Sequence, residues 1–284
     1  MERLHRQYNR FYFSKIIYIL IFSSIFTVFL FKNSNCSNVA YASPNSGCIL
    51  INSDSMEVLY GENENIRLPM ASTTKIMTAL IAIENCNPNE IVTINKDMVN
   101  IEGSSVYLKE NEQLTIEELL YCLMLRSGND SAMAIAIHIA GNAQNFAEMM
   151  NIRAQSLKLK NTHFVNPHGL HDNNHYTSCY DLGIISCQAM KYPLFKKIVS
   201  TECIRIGKNE SIRVLVNKNK MLKSFTGANG IKTGFTKKAG RCLVASANKN
   251  GVNLISIVLN RADMYNECAH LLNKGFDIIG EKNT

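Results

Sequence analysis

Segments with strand character lie at the two ends of this chain and segments with helical period lie between them. That order constrains the fold more than any other feature. Near the start, "GCILIN" (47–52) and "MEVLYGEN" (56–63) read as a strand pair with Asn52-Ser53-Asp54 near the turn. The last third holds "SIRVLV", "GIKTG", "RCLVASA" and "VNLISIVLN" as strands, and a terminal helix over about 263–276. Between them, helical period covers about Ser72 to Ile83, then "IEELLYCLMLRS", about Ser131 to Ala140, Phe146 to Leu157, and Ser178 to Met190. Thr115 with Glu118 forms a capping box for the second of these helices, and Asp181 is the capping partner of Ser178. "EIVTI" (90–94) and "SVYLKE" (105–110) read as short strands inside the helical region. Strands separated by so much helix must find one another across the fold. The expectation is an α+β architecture: an antiparallel sheet built from both chain ends and flanked by helices, with an inserted, mostly helical subdomain over about 76–195. An active cleft would fall between sheet and insertion.

The first 42 residues read as an export signal. A basic start leads into the apolar run "IIYILIFSSIFTVFLF" (16–31), and Ala40-Tyr41-Ala42 fits the small-x-small cleavage rule. The run is short of the ~20 residues a membrane span needs, and retention as an uncleaved anchor is the alternative. Cys36 lacks the apolar residues that precede a lipoprotein cysteine. The formal charge of +7 is concentrated here: Arg3, Arg6, Arg10, Lys15 and Lys32 against Glu2 hold +4 of it. The domain that follows, 43–284, therefore carries too little excess charge to point to a nucleic-acid partner. Its eight cysteines include no C-x-x-C pair, and several lie in apolar stretches such as "YCLMLR" and "GRCLVAS". They read mostly as reduced, buried small hydrophobes.

Within "MASTTKIMTAL" (70–80), Lys75 sits one helical turn after Ser72 in an otherwise apolar and small-residue window. Residues i and i+3 share a helix face, so the hydroxyl and the amine meet. Serine is a weak nucleophile until a neighbouring base takes its proton. A lysine serves as that base only when its amine is neutral, and burial in apolar surroundings favours the neutral form. A second Ser-x-x-Lys, Ser246 to Lys249, lies at the end of an apparent strand, where i and i+3 point to opposite faces. Two further elements accompany the first pair. "RSGNDSAM" puts Ser127 and Asn129 in a tight turn between helices, a pattern that also serves as a helix N-cap. "NGIKTGFT" puts Lys232, Thr233 and Gly234 in a glycine-flanked strand that another chain can approach closely.

Ser-x-x-Lys, Ser-Asp-Asn and Lys-Thr-Gly together are the signature of penicillin-binding proteins and class A β-lactamases. Here they occur in that order, with Gly128 in place of the middle aspartate. From "LPMASTTKIMTALIAIE", "LLYCLMLRSGNDSAMAIAIHIAG", "THFVNPHGLHDNNHYTSCYDLG" and "NGIKTGFTKKAGRCLVASA", the chain resembles the low-molecular-mass D-alanyl-D-alanine carboxypeptidases, serine penicillin-binding proteins of peptidase family S11, from about Ser46 onward. The resemblance implies the DD-peptidase/β-lactamase-like fold and the roles. Ser72 would attack the carbonyl between two D-alanines, with Lys75 as general base, and Ser127 would relay a proton to the leaving amine. Asn129 would hold the substrate amide, Lys232 and Thr233 the terminal carboxylate, and Gly234 would line the substrate strand. The backbone N–H groups of Ser72 and Phe235 would form the oxyanion hole. The partners implied are peptidoglycan stem peptides ending in D-Ala-D-Ala and β-lactams as acylating inhibitors. No cofactor and no metal are expected. Many members of the family continue into a further β-rich domain ending in an amphipathic membrane helix. This chain stops soon after Phe276, so the expected tether to a membrane is the N-terminal segment, if uncleaved.

Other functions fit less well. A class A β-lactamase needs a glutamate on the loop after the helical region, and "NPHGLHDNNHYTS" has none. A zinc peptidase would draw on His163, His168, His171 and His175, yet no H-E-x-x-H occurs and the Asn-Pro and His-Gly pairs mark turns. A cell-wall-binding or penicillin-sensing protein without turnover would have no need of the full set of site residues. An endopeptidase acting on cross-linked peptides would use the same machinery.

Overall fold

The structure, a computed structural model, describes residues 45–207 and 212–282. The expected export signal lies outside the described residues. Among the described residues, no helix is long and apolar enough to cross a membrane.

Five strands form one antiparallel sheet: β1 (Gly47–Asn52), β2 (Val58–Glu62), β7 (Ala228–Thr236), β8 (Gly240–Lys249) and β9 (Val252–Leu259), in the order β2-β1-β9-β8-β7. The first two come from the beginning of the described chain and the last three from its end. β1 joins the two sets, with Gly47 opposite Leu259 and Asn52 opposite Leu254. "GCILIN" is continuously apolar because both faces of β1 are covered. Cys48 and Leu50 pack with Leu243, Leu254, Val258, Cys268 and Leu272 beneath the terminal helix α8 (Met264–Lys282). Ile49 and Ile51 belong to the larger core on the other face, with Val244, Ile255 and Ile257. Each fully buried Leu or Ile contributes about 1.5–3 kcal/mol of apolar transfer.

The helical middle contains α1 (Lys75–Asn85), α2 (Ile116–Tyr121), α3 (Asn129–Ala140), α4 (Ala143–Ser156), α5 (Cys179–Ala189) and α6 (Pro193–Ser200). Two small hairpins flank it, β3 (Ile91–Thr93) with β4 (Gln113–Thr115) and β5 (Cys203–Ile206) with β6 (Arg213–Val216). A short helix α7 (Met221–Ser224) precedes β7. Helix α1 is buried continuously from Lys75 to Ala82, as an all-round apolar helix must be. It ends at Cys86, which is extended, two residues before Pro88. The Thr115–Glu118 capping box forms: Thr115 Oγ1 accepts from Glu118 N at 3.1 Å, and Glu118 Oε2 accepts from Thr115 N at 2.9 Å. Ser178 likewise caps α5 by accepting from Asp181 N.

Several expectations need correction. "SVYLKE" is not a strand. The buried carboxylate of Asp130 collects Ser105 Oγ, Val106 N and Leu108 N at 2.5, 3.0 and 3.2 Å, which folds 105–108 around a side chain instead of a ladder. The strand that pairs with β3 is β4, eight residues further along than that segment begins. The helix after α2 begins at Asn129 and not Ser131, and α8 runs on to Lys282. α6, α7 and β5 had no counterpart in the sequence reading. The eight described cysteines are all free thiols, six of them buried.

Candidate active site

Ser72 lies in the 3-10 turn Ala71–Thr74 that runs directly into α1. The residue before it, Ala71, has φ +48, a left-handed conformation that strains any residue with a Cβ by about 1–3 kcal/mol. The turn is braced around that strain. Thr73 Oγ1 donates to Met70 O at 2.6 Å and Thr74 Oγ1 to Ala71 O at 2.8 Å. Gly234 of β7 packs so tightly here that an added Cβ would meet Ser72 N at 3.1 Å. On the other side Gly169, at φ +92, leaves no space for a Cβ, which would fall 2.0 Å from Ala71 O.

Lys75 is fully buried. Its Nζ lies 3.0 Å from Ser72 Oγ, 2.7 Å from Asn129 Oδ1 and 2.5 Å from the His168 carbonyl oxygen. Burial pushes the amine well below the ordinary lysine range, and the like charges of Lys232 and Lys218 act in the same direction against a smaller pull from Asp130. A neutral amine has two N–H donors and one lone pair. Both carbonyl oxygens accept only, so they take the two N–H groups. The lone pair is left to face Ser72, whose hydroxyl then donates to the amine.

The segment from 163 to 175 supplies the wall behind this pair. His175 Nδ1 accepts from Val165 N at 3.1 Å, so its Nε2 carries the proton and donates to Thr74 Oγ1 at 2.8 Å. Thr78 Oγ1 donates to Pro167 O, and His168 Nδ1 accepts from Leu170 N. These histidines thus hold a loop in place, and among the described residues they do not converge as a metal-ligand set. Burial, reinforced by Lys75, pushes His168 down to about 3. Burial, against an opposing pull from Asp172, pushes His175 down to about 4. Histidines of the unfolded chain titrate near 6.5. Between that value and the folded ones the unfolded state binds more protons, so stability falls as pH drops through this window and levels off only below about 4 and 3. The expected result is a urea midpoint that declines from pH 6.5 to 5, with a shallower decline in His175→Gln.

Ser127 ends the π-helical turn Cys122–Arg126 in a left-handed conformation, φ +66. Its buried Oγ has no hydrogen-bond partner among the described residues. Asn129 opens α3, and both ends of its amide are engaged: Oδ1 accepts from Lys75, and Nδ2 donates to Glu102 O at 2.5 Å. It thereby ties the lysine amine to the Glu102 backbone. On β7, Lys232 is almost wholly buried and its Nζ donates to Thr233 O at 3.0 Å. Burial and the nearby Lys218 push it down to about 7.

A groove of about 260 Å³ runs between the Ser72 turn and β7, lined in part by Ser72, Ser127, Thr233, Gly234 and Phe235. All eight sequence-predicted residues thus gather at one place, with Lys75, Asn129 and Lys232 set behind the groove wall. The groove also contains residues the motifs did not indicate: Ser104, Lys218, Arg241, Met264 and Tyr265. Lys218 Nζ lies 3.4 Å from Ser104 Oγ, and its own amine is pushed down by burial and Arg126. Its only sequence signal is a place in the polar run "NKNK", which looks like solvated turn. The second Ser-x-x-Lys is no site: Ser246 donates to Asn229 Oδ1, and Lys249 stacks over Phe225 and Phe276.

The family model for peptidase S11, D-alanyl-D-alanine carboxypeptidase, matches residues 37–263. The chain is 38% identical over 216 residues to the D-alanyl-D-alanine carboxypeptidase DacF of Bacillus subtilis, covering 74% of this chain and 56% of that protein. It is 33% identical over 251 residues to the D-alanyl-D-alanine carboxypeptidase of a Streptomyces strain, covering 81% and 86%. It thus spans little more than half the length of several of its relatives. Among solved structures, a mutant of the Streptomyces DD-transpeptidase superposes with a TM-score of 0.77 at 31% identity, covering 81% of this chain and 97% of that one. An evolved putative penicillin-binding protein homologue from Mycobacterium tuberculosis gives 0.78 at 28% identity, covering 83% and 92%. With the motif residues gathered on and behind one groove and relatives matching across most of its length, the chain belongs to the peptidase S11 family of D-alanyl-D-alanine carboxypeptidases.

Proposed function

We propose that this chain is a serine-type D-Ala-D-Ala carboxypeptidase that removes the terminal D-alanine from peptidoglycan stem peptides through an acyl-enzyme, and that β-lactams acylate the same serine. The observation that carries the reading is the hydrogen-bond arrangement around Lys75. Two carbonyl acceptors consume both N–H groups of the neutral amine, so its remaining lone pair is aimed at Ser72 Oγ at 3.0 Å.

In the first step the Ser72 proton passes to Lys75 Nζ as Oγ attacks the carbonyl between the two D-alanines. The oxyanion is received by the backbone N–H groups of Ser72 and Phe235, and in other enzymes one such donor is worth about a hundred- to a thousandfold in rate. The proton then moves to the departing amine through Ser127, whose hydroxyl makes no hydrogen bond among the described residues. D-Alanine leaves, and water releases the shortened peptide from Ser72. The substrate carboxylate is an anion that suits Thr233 together with the Lys232 ammonium. Lys218, on the groove wall, adds a second cation. The substrate lies along β7, at the edge of the sheet beside the groove.

The same reading extends to cellular placement: residues 1–42 are an export signal or an uncleaved anchor. The enzyme domain, 43–284, acts at the outer face of the cytoplasmic membrane or in the wall of a bacterium, with residues of about 76–195 as the inserted helical subdomain.

Labelling with a fluorescent penicillin tests the nucleophile. Wild type takes up one label per chain, and Ser72→Ala takes up none while keeping its circular dichroism spectrum. Label retained by Ser72→Ala would overturn the assignment.

A further inference from the structure

Lys75 opens α1 and Asn129 opens α3, and the 2.7 Å hydrogen bond between them joins the near ends of the two helices. The far ends also meet. Cys86 caps α1, His138 lies in the last turn of α3, and Glu90 stands on the short turn that leads from α1 into β3. The Cys86 Sγ, a Glu90 carboxylate oxygen and a His138 ring nitrogen lie within 4.8 Å of one another. His138 Nε2 and Glu90 Oε1 are 2.7 Å apart.

We propose that Cys86, Glu90 and His138 form a zinc site with thiolate, carboxylate and imidazole ligands and a water in the fourth position. Zinc bonds of about 2.3 Å to sulfur and 2.0–2.2 Å to nitrogen and oxygen imply tetrahedral ligand separations of about 3.3–3.6 Å. The His138–Glu90 separation of 2.7 Å lies just short of that range and none of the three exceeds 4.8 Å, so shifts of about an ångström in an exposed and two partly exposed side chains complete the geometry. The backbone beneath them is firmly held. Glu90 N donates to Asn87 O at 3.0 Å, Ile116 N to Glu90 O at 2.9 Å, and Glu117 N to Pro88 O at 2.9 Å. Cys86 N donates to Ala82 O at 3.0 Å. Ligand chemistry selects the metal: a thiolate beside an imidazole suits zinc and is foreign to calcium and magnesium, which take oxygen ligands. On binding, the Cys86 thiol proton is released to solvent and the S–Zn bond takes its place.

The site lies at the opposite end of α1 from Lys75, about 16 Å away at 1.5 Å per residue, and outside the groove. Its role is therefore structural. It clasps the far ends of the two helices whose near ends set the Lys75–Asn129 distance. Nothing in the sequence pattern indicated it, because the spacing from Glu90 to His138 matches no short metal motif.

The test is zinc titration of the full chain after chelation, under a phosphine reductant that keeps the thiol reduced. Wild type binds about one zinc per chain. Cobalt in its place gives a thiolate-to-metal charge-transfer band, and the thermal midpoint rises by about 5 °C at a hundredfold excess over Kd. Cys86→Ser abolishes the band, and Cys86→Ser and His138→Gln each weaken binding by more than about a hundredfold, the upper cost of losing a mere outer partner. Glu90→Ala, a change at an exposed side chain, weakens it by more than about a hundredfold as well and stands in if either of the others fails to fold. Absence of zinc uptake by reduced wild type overturns the proposal. So does undiminished binding in folded Cys86→Ser, which would put the ion away from this thiol. Penicillin labelling of Ser72 is a separate readout, so failure here leaves the acyl-enzyme reading standing.

Discussion

Lys75→Ala is expected to slow acylation by a fluorescent penicillin by about a hundred- to ten-thousandfold, the range for a positioned general base, while the chain stays folded. Lys75→Arg is the sharper comparison. It keeps a long cationic side chain, but a guanidinium does not lose its proton in the accessible range, so its loss should match that of alanine. An arginine variant that acylated at near the wild-type rate would show that the position supplies charge and not a base. The pH profile separates the two lysines. Acylation of wild type is expected to rise with pH as Lys75 loses its proton, below the ordinary lysine range because of burial and the charges of Lys232 and Lys218. It is expected to fall again as Lys232, pushed down to about 7, ceases to be a cation for the ligand carboxylate. The Lys75 variants lose the rising limb and keep the falling one.

The second large effect is expected at Gly169. A Cβ there would sit 2.0 Å from Ala71 O and 2.9 Å from Thr74 Oγ1, so Gly169→Ala must push the Ser72 turn or the His168 carbonyl that orients Lys75. Displacement of a reacting group by about an ångström costs about a hundredfold, and a loss of that size in the acylation rate constant is the expected outcome. Gly141→Ala is the control. It carries the same kind of backbone penalty, φ +80, yet nothing among the described residues lies within 4 Å of the added methyl. It should lower the urea midpoint slightly and leave acylation within about twofold, since the strain it adds is about 1 kcal/mol and remote from the site. Equal acylation by Gly169→Ala and wild type would mean that the loop does not position the nucleophile.

Where local chemistry decides the structure, the sequence was readable. The Thr115–Glu118 box and the Ser178 cap are complete within four residues, and β1 and β9 are mostly apolar because most of their residues are buried on both faces. Reading failed where a distant side chain decides. "SVYLKE" alternates like a strand, but Asp130, some twenty-five residues on, takes its N–H groups. The site divides in the same way. Ser72, Lys75, Ser127, Asn129 and Lys232 were legible because they sit in short motifs with fixed spacing. Ser104, Lys218, Arg241 and Tyr265 were not, because each lies in a loop or at an element end whose approach to the groove exists only in three dimensions. The engagement of Asn129 with Lys75 and Glu102 belongs to that second group. It sets the asparagine against the Lys75 amine.

The register of β1 against β9 has a consequence for how the polypeptide comes together. Cys48 pairs with Val258, so some two hundred residues must be made before the middle of the sheet exists. At ribosomal speeds of about 5–20 residues per second, β1 and β2 wait on the order of ten seconds for their neighbour. In that interval an apolar hairpin is exposed with an unpaired edge. High contact order of this kind slows folding, and assembly of the sheet must come late, after the helices between have had time to form.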